Sequence, residues 1–442
     1  MKTKAPTKAP VNAPVEVPFT PPTQVPPSPV KIPIKAPVQP TKAPLQPTKA
    51  PAQATKSPTK RPTSAPVAAK LQLGELKPVN SNSLRLSQGL SATLIAEAGK
   101  KVQYKSPQAN VTQSTLNFHF SADGADIFSL PNGGYIYASN AELGTGSGGV
   151  FGVEFDDSGL VRNYKALITG TTSNCNGGRT PWNTWVTCEE YRSGQCWQVD
   201  PTGVRPGEKT VVGQEGGAYE AFAYDDRNTS APSYYITEDV QNGALRRYRP
   251  PMNYPMVWES LHLTNGTHDY LVLDPISGTF SWSPSLQEGR DSAIAYFRNS
   301  EGIAIRNGKL AFVSKVQKEL FILDLDKFTY TSFSTETSTL TGGGRFDSQP
   351  DHVLYQSQSG VIILSEDGGS TPGMFGYDGS KYFSYFESNF AGDEVTGIAF
   401  SPDRKFLFAA IQSIGYLFRI SRDDGLPFEG RCVLKWKKEL GR

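Results

Sequence analysis

The chain has 442 residues, with 44 Lys/Arg against 42 Asp/Glu, four Cys and four His. The near-neutral total hides a split: residues 1–70 hold 11 Lys/Arg and a single acid, Glu16, which leaves 33 Lys/Arg and 41 Asp/Glu in the rest. An acidic body behind a basic tail argues against nucleic-acid binding by the body and points to acids gathered around cations.

Residues 1–66 carry 18 of the 34 prolines, and Thr-Lys-Ala-Pro recurs at Thr3–Pro6, Thr7–Pro10, Thr41–Pro44 and Thr48–Pro51. Such a sequence cannot bury a core and favours extended polyproline II segments. Residues 1–70 are therefore expected to be a disordered Pro/Thr/Lys-rich stalk or linker. Its hydroxyls are open to O-glycosylation, and its lysines suit a cell wall or another anionic surface. No run of 18 apolar residues is present, so no transmembrane segment is expected. The start, MKTKAPTKAP, has no apolar signal core, although Asn110, Asn228 and Asn265 open glycosylation sequons. An extracellular or cell-surface location is expected on balance, with no signal peptide visible.

From Leu71 onward the pattern becomes short β runs closed by Gly, Asn, Asp and Pro. One unit recurs: an acidic residue, an apolar run, a turn, and a second apolar run ending in polar residues. Its copies begin at Asp123 (DGADIF), Cys175 (CNGGRT), Tyr219 (YEAFAYD), Ser300 (SEGIAI), Pro350 (PDHVLY) and Val395 (VTGIAF). Spacings are roughly 45 to 52 residues, apart from a long insert between Glu220 and Glu301. The fold expected for residues 71–442 is all-β, a six-bladed β-propeller, with Arg431–Trp436 closing the ring on the first blade.

Aligned units give two sets of positions. Asp123, Cys175, Glu220, Glu301, Asp351 and Thr396 open the first strands. Asn140 and Glu142, Glu190, Glu238 and Asp239, Lys315, Glu366 and Asp367, and Gln412 close the second strands. Because hairpin strands run antiparallel, both sets are expected to ring one mouth of the channel. Carboxylates converging there repel unless cations neutralise them. The plainer reading leaves these acids in turns, where Asp and Asn are common.

Within SNCNGGRTPWNTWVTCEEY, Ser173–Tyr191, a soft thiol at Cys175 accompanies hard carboxylates at Glu189 and Glu190. That donor mixture suits iron beside calcium. Cys188 and Cys196 flank a turn and can face each other as a hairpin disulfide, leaving Cys432 unpaired. GTGSGGVFG at Gly144–Gly152 imitates a phosphate loop, but no helix pattern follows, so a hairpin turn is expected. Scattered His119, His262, His268 and His352 and the absence of HExxH argue against a zinc hydrolase. No GxSxG supports a serine hydrolase. Trp182 and Trp185 read as packing between strands.

NCNGGRTPWNTWVTCEE at Asn174–Glu190, EVTGIAFSPDRKFLFAAIQ at Glu394–Gln412, and PDHVLY and SEDGG resemble the PhoX-type alkaline phosphatases. The resemblance spans most of residues 115–422, is weak over Asn253–Glu288 and is absent from the tail. It implies a secreted six-bladed propeller that hydrolyses phosphate esters with Fe3+ and Ca2+. Carried over by motif, Cys175 binds iron, Glu190, Glu220, Glu301 and Asp351 bind iron and calcium, and Asn140 sits at the phosphate or a calcium. Asp123, Glu142 and Asp367 complete the metal-ligand set, and Arg298, three residues before Glu301, stands loosely for the arginine that grips phosphate. Two departures stand out. Gly213-Gln214 with Tyr219-Glu220 lacks the family's Arg and His, and Gln412-Ser413-Ile414-Gly415 replaces Gln-His-Pro-Gly. They keep open a non-catalytic, calcium-bound propeller that binds glycans or a protein partner, and a calcium-dependent lactonase or phytase-like hydrolase.

Overall fold

The computed structural model describes residues 73, 75–105, 111–336, 340 and 343–429. The expected stalk over residues 1–70, the sequon at Asn110, Cys432 and the ring closure by Arg431–Trp436 lie outside the described residues.

Aromatic and β-branched runs punctuated by Gly, Asn and Asp turns form strands here. Tyr135–Ala141 (YIYASNA) and Tyr382–Ser388 (YFSYFES) are buried along their whole length, as strands covered on both faces must be. Each first strand of the repeat pairs antiparallel with the next: Ala122–Ser129 with Tyr135–Ala141, Asn174–Arg179 with Trp185–Glu189, Tyr219–Asp225 with Ser233–Glu238, Ser300–Arg306 with Lys309–Ser314, Gln349–Tyr355 with Ile362–Asp367, and Val395–Phe400 with Phe406–Ile411. The first strands pack side by side in this order, and the last returns to the first. This is a propeller-like arrangement.

The sheets depart from six separate blades. By hydrogen bonding, four sheets of four or five strands stand apart, and Tyr219 to Ser334 forms one nine-stranded sheet. A single pair, Thr279 opposite Thr329, joins the halves of that sheet. The ring is closed from the N-terminal side. Leu90–Glu97 pairs with Tyr416–Arg422, from Leu90 opposite Arg422 to Glu97 opposite Tyr416.

Core clusters lie between neighbouring hairpins. One joins Ile127, Tyr137 and Val153 to Phe408 and Leu417; another joins Ala221, Tyr235 and Leu245 to Ile303, Phe312 and Phe321. The long insert adds the strands Thr267–Asp274 and Thr279–Ser283 and the helix Leu286–Tyr296. Ser285 caps this helix by accepting from the Glu288 amide, a capping-box spacing. Gly289 lets the helix lie on Tyr270, since a Cβ there would fall 2.5 Å from Tyr270 Cβ. The Gly144–Gly152 stretch is a turn entering the strand Gly148–Phe155, as its lack of a helix pattern predicted.

Candidate metal centre

Strand register builds the site. Opposed pairs are Ala122–Ala141, Asn174–Glu189, Tyr219–Glu238, Ser300–Ser314, Pro350–Glu366 and Val395–Ile411. One residue further along each strand stand Asp123 and Glu142, Cys175 and Glu190, Glu220 and Asp239, Glu301 and Lys315, Asp351 and Asp367, and Thr396 and Gln412. A register shift occurs at this point in the first five hairpins, and one residue later, after Thr396, in the sixth. Bulges of this kind release a residue from regular pairing and re-aim its side chain. The strands approach closely here. A Cβ on Gly124 would sit 2.5 Å from Asn176 Cα, and one on Gly302 would sit 2.5 Å from the Asp351 carbonyl oxygen and the Val353 amide nitrogen.

Three overlapping triads result: Asp123, Glu142 and Cys175; Cys175, Glu190 and Glu220; Glu220, Glu301 and Asp351. In each, donor atoms lie within 4.8 Å of one another. Both carboxylate oxygens of Glu220 are buried without a hydrogen-bond partner. An orphaned buried carboxylate is costly unless a cation meets it. The donor set therefore fits a bound metal, with one thiol among oxygens.

The electrostatics agree. Burial first, and then the neighbouring carboxylates, hold Asp123, Glu220 and Glu301 well above the usual carboxylate range. Glu190 is pushed up to about 8 by burial and by Asp239 and Glu142. Burial, then Asp123 and Glu220, raises the Cys175 thiol. Without a cation the ring keeps protons that a bound metal displaces.

The Glu189–Glu190 pair divides its work. Glu189 accepts from the Thr172 amide at 2.8 Å and the Gln195 amide at 3.0 Å, so it ties the hairpin together. Glu190 enters the triad. Asn140 is fully engaged elsewhere. Its Nδ2 donates to the carbonyls of Cys175 and Asn176, and its Oδ1 accepts from Trp185 Nε1 at 2.8 Å. It positions the Cys175 strand and has no donor left for a phosphate. Arg298, expected to grip phosphate, donates through Nε to the Ile294 carbonyl at 2.7 Å, capping the helix from which it emerges. Asp367 stands outside the triads and faces Lys315 at 3.5 Å. Cys188 and Cys196 oppose each other in register as free thiols, with Sγ atoms 2.9 Å apart, in place of the expected disulfide.

The last hairpin is uncharged at the repeat positions and serves its neighbour. Thr396 Oγ1 donates to Asp123, and Gln412 Nε2 donates to Glu142 at 2.9 Å. Glu394 was missed by sequence reasoning. It forms an isolated bridge with Asp367, and burial together with Asp351 and Asp123 holds its carboxyl well above the usual range. Arg246 was also missed. It is buried beside Glu238 at 3.3 Å and Gln214 at 3.4 Å, on the side of the site where the family's Arg and His are lacking.

The family model described as Alkaline phosphatase PhoX matches residues 157–243, the segment that holds Cys175, Glu190 and Glu220. The fold of the Pseudomonas fluorescens PhoX in complex with vanadate, a transition state analogue, is similar. That structure is 15% identical, with a TM-score of 0.61, and the match covers 80% of this chain and 99% of the other. A protein of unknown function from Bacteroides thetaiotaomicron matches at 11% identity and a TM-score of 0.42, covering 75% of this chain and 76% of that one. No curated protein matches the chain by sequence. The chain thus resembles the PhoX-type alkaline phosphatases in a sequence segment and in fold.

Proposed function

We propose that the protein is a metal-dependent hydrolase of phosphate esters, with iron and calcium held at the ring of hairpin ends. The observation that carries this reading is the chain of triads, in which Cys175 joins the first to the second and the partnerless Glu220 joins the second to the third. Cys175 is the soft donor and fits iron. Glu190, Glu220, Glu301, Asp351, Asp123 and Glu142 are hard donors and fit both iron and calcium. Bound cations supply neutralisation of the phosphoryl oxygens and an activated oxygen nucleophile.

The chain's own residues do the rest. Asn140 fixes the carbonyls of Cys175 and Asn176. Thr396 and Gln412 orient Asp123 and Glu142. Glu189 holds the turn that carries Glu190. Close packing at Gly124 and Gly302 keeps the first strands near enough for one ion to meet residues from two hairpins.

We read the nine-stranded sheet as two blades joined at their outer edges by the Thr279–Thr329 pair, which restores a six-bladed propeller. Residues 1–70 are read as a stalk, and the enzyme as secreted or displayed at the cell surface. Among the described residues no helix is long and apolar enough to cross a membrane. The alternative of a calcium-only, non-catalytic binder is less well supported, because it gives no role to a thiol within the ring.

The test is turnover of p-nitrophenyl phosphate by the purified chain supplied with iron and calcium, with and without chelator. Chelator-sensitive phosphate release supports the reading. No turnover under any metal condition removes it.

A further inference from the structure

Four of the hairpins carry an acid at the closing position of the second strand, at Glu142, Glu190, Asp239 and Asp367, and one carries Lys315. The Lys315 ammonium lies 2.8 Å from Glu301 Oε1, 3.2 Å from Asp239 Oδ2 and 3.5 Å from Asp367 Oδ2. Those acids come from three successive hairpins, so the ammonium draws them together as a bound cation would. Its place is fixed. The Lys315 amide donates to the Asn299 carbonyl at 2.9 Å, and Asn299 Nδ2 donates to Asp239 Oδ1 at 2.7 Å.

An ammonium has three N–H donors and no acceptor. Here Asp239 accepts a hydrogen bond from it, and Glu301 and Asp367 stand at ion-pair distance, so the ammonium is ringed by carboxylates. Its contribution is a single positive charge at a position where the neighbouring hairpins would otherwise bring carboxylates together with nothing between them. Glu220 and Glu301 differ in counter-charge. Both oxygens of Glu220 and Oε1 of Glu301 lack a hydrogen-bond partner, but the Lys315 ammonium lies 2.8 Å from Glu301 Oε1, whereas no cationic side chain among the described residues pairs with Glu220.

We propose that Lys315 is a built-in counter-ion that takes the place of one metal ion in the ring, so that the centre loads about one cation fewer than its carboxylates would otherwise hold. Asp239 and Asp367 then answer to the lysine and are not metal ligands, and the metals occupy the three triads that run from Asp123 through Cys175 and Glu220 to Asp351. This rests on the metal-centre reading above and determines how many ions that centre takes.

The experiment is metal counting by elemental mass spectrometry on the full chain, purified with calcium and iron in excess and then desalted, for wild type, Lys315→Met and Asp239→Asn. Methionine keeps the length of the stem and removes the charge. Lys315→Met is expected to gain about one calcium per chain over wild type, with iron unchanged. Asp239→Asn is expected to keep the wild-type count, because its loss removes a partner of the ammonium and no metal ligand. Should Lys315→Met fail to fold, the Asp239→Asn count decides, since an amide replaces a carboxylate of the same shape. Equal calcium in wild type and Lys315→Met, or loss of an ion in Asp239→Asn, overturns the proposal while leaving the metal centre in place. A wild-type chain that retains no metal overturns the metal-centre reading and this proposal with it.

Discussion

The Asn140 amide donates to the Cys175 carbonyl at 2.9 Å and to the Asn176 carbonyl at 2.8 Å across 35 residues of sequence, while its own oxygen accepts from the indole of Trp185. One buried side chain thus ties the strand that bears the thiol to the neighbouring sheet. Asn140→Asp keeps the shape but turns both donors into acceptors facing carbonyls. Each buried polar group left unpaired costs about 1–3 kcal/mol. The variant is expected to lose several degrees of melting temperature and to bind iron more weakly. An unchanged melting temperature and unchanged iron content would place Asn140 elsewhere in the chemistry.

Glu189 and Glu190 are predicted to separate cleanly. Glu189→Gln presents an amide N–H to one of the two backbone amides that the carboxylate now accepts from, and is expected to cost about 1–3 kcal/mol with metal content retained. Glu190→Gln removes a charge that burial already disfavours, so the metal-free protein should melt no lower than wild type while metal content falls. Melting curves and metal counts on the two variants check this. Metal loss in Glu189→Gln alone would reverse the roles.

Gly302→Ala is expected to be severe for its size. The new Cβ meets the Asp351 carbonyl oxygen and the Val353 amide nitrogen at 2.5 Å, and both are backbone atoms that cannot swing away. Overpacking of this kind costs typically about 1–3 kcal/mol or more, and here the strand that yields carries a triad member. Thermal melting and calcium titration should both worsen. A neutral effect on both would show that the first strands are not locked together at this level.

His119 gives a pH prediction independent of the ring. It is buried between Tyr164 Oη at 2.9 Å and Ser139 Oγ at 3.1 Å, stacked on Phe151, and burial lowers its pKa to about 3. The folded protein therefore binds this proton less readily than the unfolded chain does. The stability owed to the neutral ring is fully present above about pH 6.5 and is lost as pH falls from there toward 3. Denaturant melts of wild type against His119→Gln should show a shallower loss of stability in the variant across that window. Identical slopes would contradict the assignment.

Much of the ring was legible because strand alternation and the repeat spacing placed Asp123, Cys175, Glu220, Glu301 and Asp351 at one position, and residue type did the rest. The repeat position already separated Glu190 from Glu189, and the register shift between Thr187 and Glu189 marks where the strand leaves regular pairing to bring Glu190 into a triad. Asn140 invites a ligand role in sequence, and only its partners, from a strand 35 residues away, show otherwise. Glu394 lies before its strand begins and meets the site through a bridge to Asp367 and through Asp351, so no periodicity marks it. The closing strand Leu90–Glu97 was missed because its partner, Tyr416–Arg422, lies at the far end of the chain. The joined sheet from Tyr219 to Ser334 depends on one residue pair that no repeat pattern encodes.

Whether Cys175 anchors iron within the ring is read from iron per chain in Cys175→Ser against wild type. A serine hydroxyl keeps the size but has a far higher pKa, which makes it a poor iron ligand at neutral pH. The expected variant is folded and has lost iron and phosphate-ester turnover while keeping part of its calcium on Glu and Asp. Full iron occupancy in the serine variant would contradict iron anchoring by Cys175.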